Sequence, residues 1–262
     1  MPYLDHARKE IRLKIVYYGP GMGGKTTNLE QIHKRTRAER RGKLVQIETG
    51  GERTLFFDLL PVELGRYRDY DVRVHLCTVP GQIRFDRIRR LVLRHVDGVV
   101  MVVDSRHSRL EDNLESIDNL ATNLRLQGDD PSRVPTVVQF NKRDLGEAAG
   151  IATLREVLGV PAEVPQFQAV ATEGRGVFET FKGVLGGCLA LVGDPARAAA
   201  GRSPSILPGR HASMFPEAEP PARARRRALW IPPPPRVPHF GGGEPISGGA
   251  HLRRDGYGDR VD

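Results

Sequence analysis

Two cysteines in 262 residues leave no room for a disulfide framework. Cys77 falls in an apolar run that reads as a strand and Cys188 in one that reads as a helix, so both are expected to be small buried thiols. No stretch approaches the roughly 18 apolar residues of a membrane span. The opening MPYLDHARKEIRLK is charged where a secretory leader is apolar. Pro2 excludes N-myristoylation, and the closing DRVD offers no cysteine to a prenyl group. No Cys/His/Asp cluster has metal-ligand spacing, so His75 and His95 read as structural. No repeat with a period of about 20 to 50 residues is visible. Together these absences predict a soluble, cytoplasmic chain with no lipid anchor of its own.

The charge is uneven. The formal net charge is +8, but from Pro195 onward the chain holds 11 Arg, no Lys and six acids. Residues 1–194 therefore carry only about +3, ordinary for a soluble domain, and no DNA partner is expected. The same last 68 residues hold 12 of the 20 prolines and nine glycines without sustained periodicity. That composition marks 195–262 as a low-complexity tail, expected to be disordered. WIPPPPRVP favours polyproline II and PARARRRALW is suited to an acidic surface or RNA. An Arg/Pro/Ala/Gly mixture is also what GC-rich DNA encodes in almost any frame, so the tail is assigned no function.

Within 1–194, strands are predicted at 11–19, 43–48, 72–79, 98–104, 135–140 and 165–171, and helices at 25–38, 86–96, 108–126, 150–158 and 176–192. Near-continuous apolar strands alternating with helices predict an α/β fold, a mainly parallel sheet of six or so strands flanked by helices.

Between the first strand and the first helix stands YYGPGMGGKTTNLEQIHK, in which Gly19, Gly24, Lys25 and Thr26 spell G-x-x-x-x-G-K-T. Glycines let the backbone turn sharply and offer several N–H groups to anionic oxygens at a helix N-terminus. Gly21, Gly23 and Thr27 complete the cradle, Lys25 is placed to reach terminal phosphates, and the Thr26 hydroxyl to coordinate Mg²⁺. The phosphate-loop reading makes this a P-loop NTPase.

Three further motifs follow in order. NKRD at 141–144 ends the fifth predicted strand, where α/β sheets bind ligands. The Asp144 carboxylate can accept from N1–H and the exocyclic amine of guanine, donors that adenine lacks. Asn141 can bridge the base edge and the phosphate loop, and the Lys142 stem can lie along the base. In TVPGQIRF, the Gly81 amide suits a γ-phosphate and Gln82 suits orienting a water for in-line attack. GGERTLFFDLLP, at 50–61, is expected to be a mobile loop over the nucleotide. There Thr54 offers Mg²⁺ a second hydroxyl, while Arg53 is either a solvated side chain or a group that offsets transition-state charge. The Ala171 amide of AVATEG is a weaker candidate for the guanine carbonyl. Basic runs at 33–43 and 84–94 read as solvated helix faces, the second alternatively as a partner surface that changes with the nucleotide.

This order of motifs resembles that of Ras-like small GTPases. YYGPGMGGKTTNL, GERTLFFDLLP, TVPGQ, DGVVMVVDS and NKRDL resemble more closely the MglA family of bacterial gliding-motility and cell-polarity GTPases, over about residues 8–193. The resemblance implies a small-GTPase fold cycling between GDP and GTP with Mg²⁺, and motility or polarity effectors at a cell pole. It also implies a dimeric roadblock-fold (MglB-like) partner that accelerates hydrolysis, and an intrinsic catalytic arginine at Arg53. A GTP-loaded scaffold that hardly hydrolyses is the rival, disfavoured by the presence of both Gln82 and Arg53. A P-loop kinase is disfavoured by NKRD and by the lack of a recognisable lid segment. The chain departs from Ras-like proteins at Thr78, where they carry an aspartate that supports Mg²⁺, and weaker Mg²⁺ retention is the expectation. Gly23 stands where the MglA family commonly has serine.

Overall fold

The computed structural model of the protein describes residues 2–49, 55–81 and 85–193. The tail at 195–262 and the expected site residues Arg53, Thr54 and Gln82 lie outside them. Among the described residues eight strands make one sheet: β1 (Tyr3–Asp5), β2 (Glu10–Tyr18), β3 (Val45–Thr49), β4 (Leu55–Tyr67), β5 (Tyr70–Thr78), β6 (Gly98–Asp104), β7 (Thr136–Asn141) and β8 (Gln166–Gln168). The helices are α1 (Lys25–Arg35), α2 (Asp86–Leu93), α3 (Leu110–Leu126), α4 (Ile151–Val157) and α5 (Val177–Gly193). The sheet order is β3-β4-β5-β2-β6-β7-β8, with β1 antiparallel against the start of β2. β5, β2, β6, β7 and β8 run parallel, so their carboxyl ends share one edge.

The α/β class and the mainly parallel sheet are as the sequence predicts, but the strand count is higher. β4 occupies most of the segment expected to be a mobile loop at 50–61. Pro61 masks the strand in the sequence, because proline lacks a ladder donor. Its carbonyl accepts from the Gly42 amide at 2.9 Å on the outer edge. In an antiparallel ladder a residue's N–H and C=O face the same side, so the missing donor points outward and pairing with β5 loses nothing. Asp58, Leu60 and Val62 alternate inward, and Gly65, at φ 88°, absorbs a register shift after Glu63. The strand returns as β5 through a two-residue hairpin in which Arg68 takes φ 53°.

Helix α1 ends at Arg35, three residues short of the expectation. The Thr36 amide and hydroxyl both donate to the Ile32 carbonyl, at 2.9 and 2.7 Å, and Thr36 leaves in extended conformation.

Alternate residues of the strands feed two apolar layers. Val16, Tyr18, Met101, Val103, Val138 and Phe140 pack under α2, α3 and α4. Ile15, Tyr17, Val100, Val102 and Val137 face α1 and α5. All seven residues of β6 are buried, as a central strand covered on both faces must be. Cys77 and Cys188 are free and buried, as expected. No helix among the described residues is long and apolar enough to cross a membrane.

The sheet meets α5 closely at Gly98. A β-carbon there would stand 2.5 Å from Cys188 Sγ and 2.9 Å from Val184 Cγ2. Gly98→Ala is therefore expected to cost about 1–3 kcal/mol by overpacking, with Cys188→Ala restoring part of it. Urea denaturation of the two single variants and the double variant measures both effects.

Candidate functional site

The carboxyl edge of the parallel strands gathers the motifs. The phosphate loop follows β2, Thr78–Gly81 leaves β5, Asp104 ends β6, Asn141 ends β7, and Ala171 opens a 3₁₀ turn after β8. Helix α1 follows Gly24, which offers no side-chain cap, and has no acid in its first turn. Its bare N–H groups and the positive end of its dipole are thus left to an anion.

The loop's carbonyls are held from outside. Lys25 Nζ donates to the Gly19 and Pro20 carbonyls at 3.0 and 2.7 Å. Arg109 Nη2, at the start of α3, donates to Gly21 O at 2.9 Å. Asn141 Nδ2 donates to Gly23 O at 2.9 Å, and Asn28 Nδ2 to Gly24 O at 2.9 Å. Glycine is required at Gly19 and Gly24, with φ 138° and 100°, where a β-carbon would run into the Val102 carbonyl and the Asn141 amide. Burial pushes the Lys25 ammonium down to about 7, with the Arg89 charge adding to the shift and Asp58 opposing it.

Two cavities adjoin here and share Met22, Gly24 and Thr27. The first, of about 310 Å³, is lined by Gly23, Gly24, Lys25, Thr26, Thr27 and Gly81, and also by Asp58 and Thr78. The second, of about 270 Å³, is lined by Asn141, Lys142, Asp144 and Ala171. Gly21 lies against Gly81, backbone to backbone.

Asp58 is the residue that sequence reasoning missed. It comes from β4, is buried, and accepts from the Thr26 hydroxyl at 2.6 Å and the Thr78 hydroxyl at 2.8 Å. Thr78 itself carries no carboxylate, and the neighbouring strand brings that of Asp58 to its hydroxyl. An acid in the apolar run FFDLLP was the available signal.

Two other candidate residues have protein partners here. The Ala171 amide donates to Asn141 Oδ1 at 3.0 Å. Asn141 therefore ties the phosphate loop to the loop after β8. Lys142 Nζ is held at 2.8 Å by buried Asp104. Burial favours the neutral Asp104 carboxyl, but hydrogen bonds from Arg106 and Lys142 outweigh it and hold it below the usual carboxylate range.

Arg89, within the basic run read as solvated, is fully buried. Its Nε and Nη2 donate to the Pro80 and Gly81 carbonyls at 2.9 and 2.6 Å, and Nη1 to Asn119 Oδ1 at 2.8 Å. The guanidinium also lies 5.0 Å from the centre of the Tyr18 ring. Asn119 and Asn123 donate in turn to Asp86. The Pro80–Gly81 turn is thus tied to α2 and α3 together.

Comparison with known proteins agrees with this architecture. The model of the ADP-ribosylation factor family matches residues 3–184. Mutual gliding-motility protein MglA of Myxococcus xanthus is 50% identical over 184 residues, which are 70% of this chain and 94% of that protein. The chain belongs to the ADP-ribosylation factor family, as an MglA-type small GTPase. A more distant relative is the Ypt/Rab-type GTPase Rab7 of Neurospora crassa, 25% identical over 182 residues, 67% of this chain and 82% of that one. In this GTPase, Arg89→Ala is expected to strand the Pro80 and Gly81 carbonyls and cost about 3 kcal/mol or more. Chemical denaturation of the variant checks it.

Proposed function

We propose that this GTPase is a switch that binds GDP and GTP with Mg²⁺, hydrolyses GTP slowly alone, and does so faster with a roadblock-fold partner. The observation that carries the reading is the pair of adjoining cavities. One is framed by the phosphate loop and the other by NKRD and the loop after β8, and Asn141 bonds to both frames. A purine nucleoside with a phosphate chain has that division. Lys25 and the loop amides take the phosphates, and Asn141 and Asp144 select guanine. Gln82 orients the attacking water and Arg53 offsets the charge that develops on the transferring phosphoryl group.

The oxygen-only donors Thr26 and Asp58 fit a hard cation. Donation of the Thr26 proton to Asp58 turns the hydroxyl lone pairs away from the carboxylate, toward the cavity, and Thr54 is the second hydroxyl. Mg²⁺ held there would neutralise charge on the phosphate oxygens. Asp58 is thus an outer support for the ion rather than a direct ligand.

The process is gliding motility or cell polarity, acting from the cytoplasm and concentrated at a pole. The motility reading rests on the 50% identity to a protein named for gliding motility across nearly all of its length; polarity, the cytoplasm and the pole rest on the family resemblance of the motifs.

A single turnover of radiolabelled GTP on the full chain, with excess unlabelled ATP, tests the chemistry. Slow phosphate release that ATP does not suppress is expected. Gln82→Leu and Arg53→Ala should each slow release by about a hundredfold or more while leaving GTP affinity nearly unchanged. Release unaffected by both variants would remove them from catalysis, and GTP retained intact for hours by the wild type would favour the scaffold. For the metal, Asp58→Ala should raise the Mg²⁺ needed to retain GDP by about tenfold. A Mg²⁺ titration of GDP release reads this.

A further inference from the structure

Beneath the phosphate loop lies a polar cluster to which the sequence reading assigns no role. Asn28 on α1, Gln139 on β7 and Thr180 on α5 are all fully buried. Asn28 Nδ2 donates to Gln139 Oε1 at 2.8 Å, and Gln139 Nε2 donates back to Asn28 Oδ1 at 2.9 Å. The second Gln139 hydrogen goes to Thr180 Oγ1 at 3.0 Å, and that hydroxyl donates to the Gly176 carbonyl at 2.6 Å. The second Asn28 hydrogen goes to the Gly24 carbonyl, which also accepts from the Asn28 amide at 3.0 Å.

Every amide hydrogen of the pair has an acceptor, so the cluster is fully satisfied. A pair of aliphatic side chains would fill the same space without any desolvation penalty. What the polar pair adds is direction. Because Oδ1 is committed to Gln139, the Asn28 amide cannot turn over, and its nitrogen is held toward Gly24 O.

We propose that Asn28 is a positioning residue that fixes the Gly24–Lys25 peptide so that the Lys25 N–H faces the phosphate cavity. A trans peptide sets its N–H opposite its C=O. Two donors on the Gly24 carbonyl therefore orient the amide on the other side of the same plane. Gly24 needs such a hold, since glycine at φ 100° has no side chain to restrain it. Gln139 and Thr180 orient Asn28, and through Gly176 they extend the hold toward the loop after β8. This rests on the guanine-nucleotide reading above and gives a role to residues outside the G-x-x-x-x-G-K-T and N-K-x-D positions.

Valine and threonine have nearly the same shape, and both would lose the amide pair with Gln139. Threonine in a helix can still donate its hydroxyl to the carbonyl four residues back, as Thr180 already does here. The test compares Asn28→Thr with Asn28→Val in the full chain, reading the dissociation rate of fluorescent GDP at saturating Mg²⁺. Asn28→Val is expected to release GDP about two- to tenfold faster than Asn28→Thr, the range for one neutral hydrogen bond. Equal rates would overturn the inference while leaving the nucleotide reading intact. If either variant fails to fold, the same pair is compared with Gln139→Leu, where no amide is left unpaired, and the same ratio decides. Wild-type chain that holds no GDP would overturn the nucleotide reading and this inference with it.

Discussion

A peptide group can turn its N–H toward a phosphate only if its carbonyl, facing the opposite way, is satisfied somewhere else. The architecture around residues 19–27 answers that constraint. Donors converge on the outer side of the loop from α1, α3 and β7, and one comes from the loop's own lysine. The sheet fixes where those donors stand, because β2, β6 and β7 are parallel neighbours: β6 and β7 end side by side at Asp104 and Asn141, while β2 stops earlier, opposite Met101, and leaves the loop room beside them. The inner face of the loop is consequently a property of the whole sheet edge rather than of its glycines.

The antiparallel side of the sheet contributes by a different route. β4 has no role in cradling the loop, yet its inward alternation carries Asp58 to the Thr26 hydroxyl. Thr78 on β5 keeps the neighbouring place and donates to the same carboxylate. Within the proposed Mg²⁺ site, two adjacent strands would divide between them a task that an aspartate at Thr78 would perform alone. On the opposite side of that turn, buried Arg89 fastens Pro80 and Gly81 to the helices. Asp86, which completes that cluster, sits below the ordinary carboxylate range. Burial opposes this, but the amides of Asn123 and Asn119 and the charges of Arg90 and Arg89 outweigh it.

Much of this was legible in the sequence, and for a physical reason. Phosphate loops and base-selecting loops depend on residue type at short fixed spacing, so Gly24, Lys25, Asn141 and Asp144 announce themselves. The central strands are apolar on both faces and read as runs, as GVVMVVD does. β4 was hidden because Pro61 argues against a strand unless one knows which edge it faces. Arg89 was hidden because arginines on a short helix are ordinarily solvated, although it shares a face with buried Val92 and Leu93. Asn28 and Gln139 are 111 residues apart, and nothing local to either tells that they meet. What stays illegible is the long-range partnership of polar side chains.

Asn141 spends both ends of one amide, its nitrogen on Gly23 and its oxygen on Ala171. Exchanging that nitrogen for an oxygen would set a lone pair against the Gly23 carbonyl and slacken the two loops together. Asp144, exposed at the rim of its cavity, carries no such double duty among the contacts described. Within the guanine reading, a descendant of this chain that came to prefer another base would have its freedom at position 144. At 141 it would have to rebuild the scaffold before it could change the ligand.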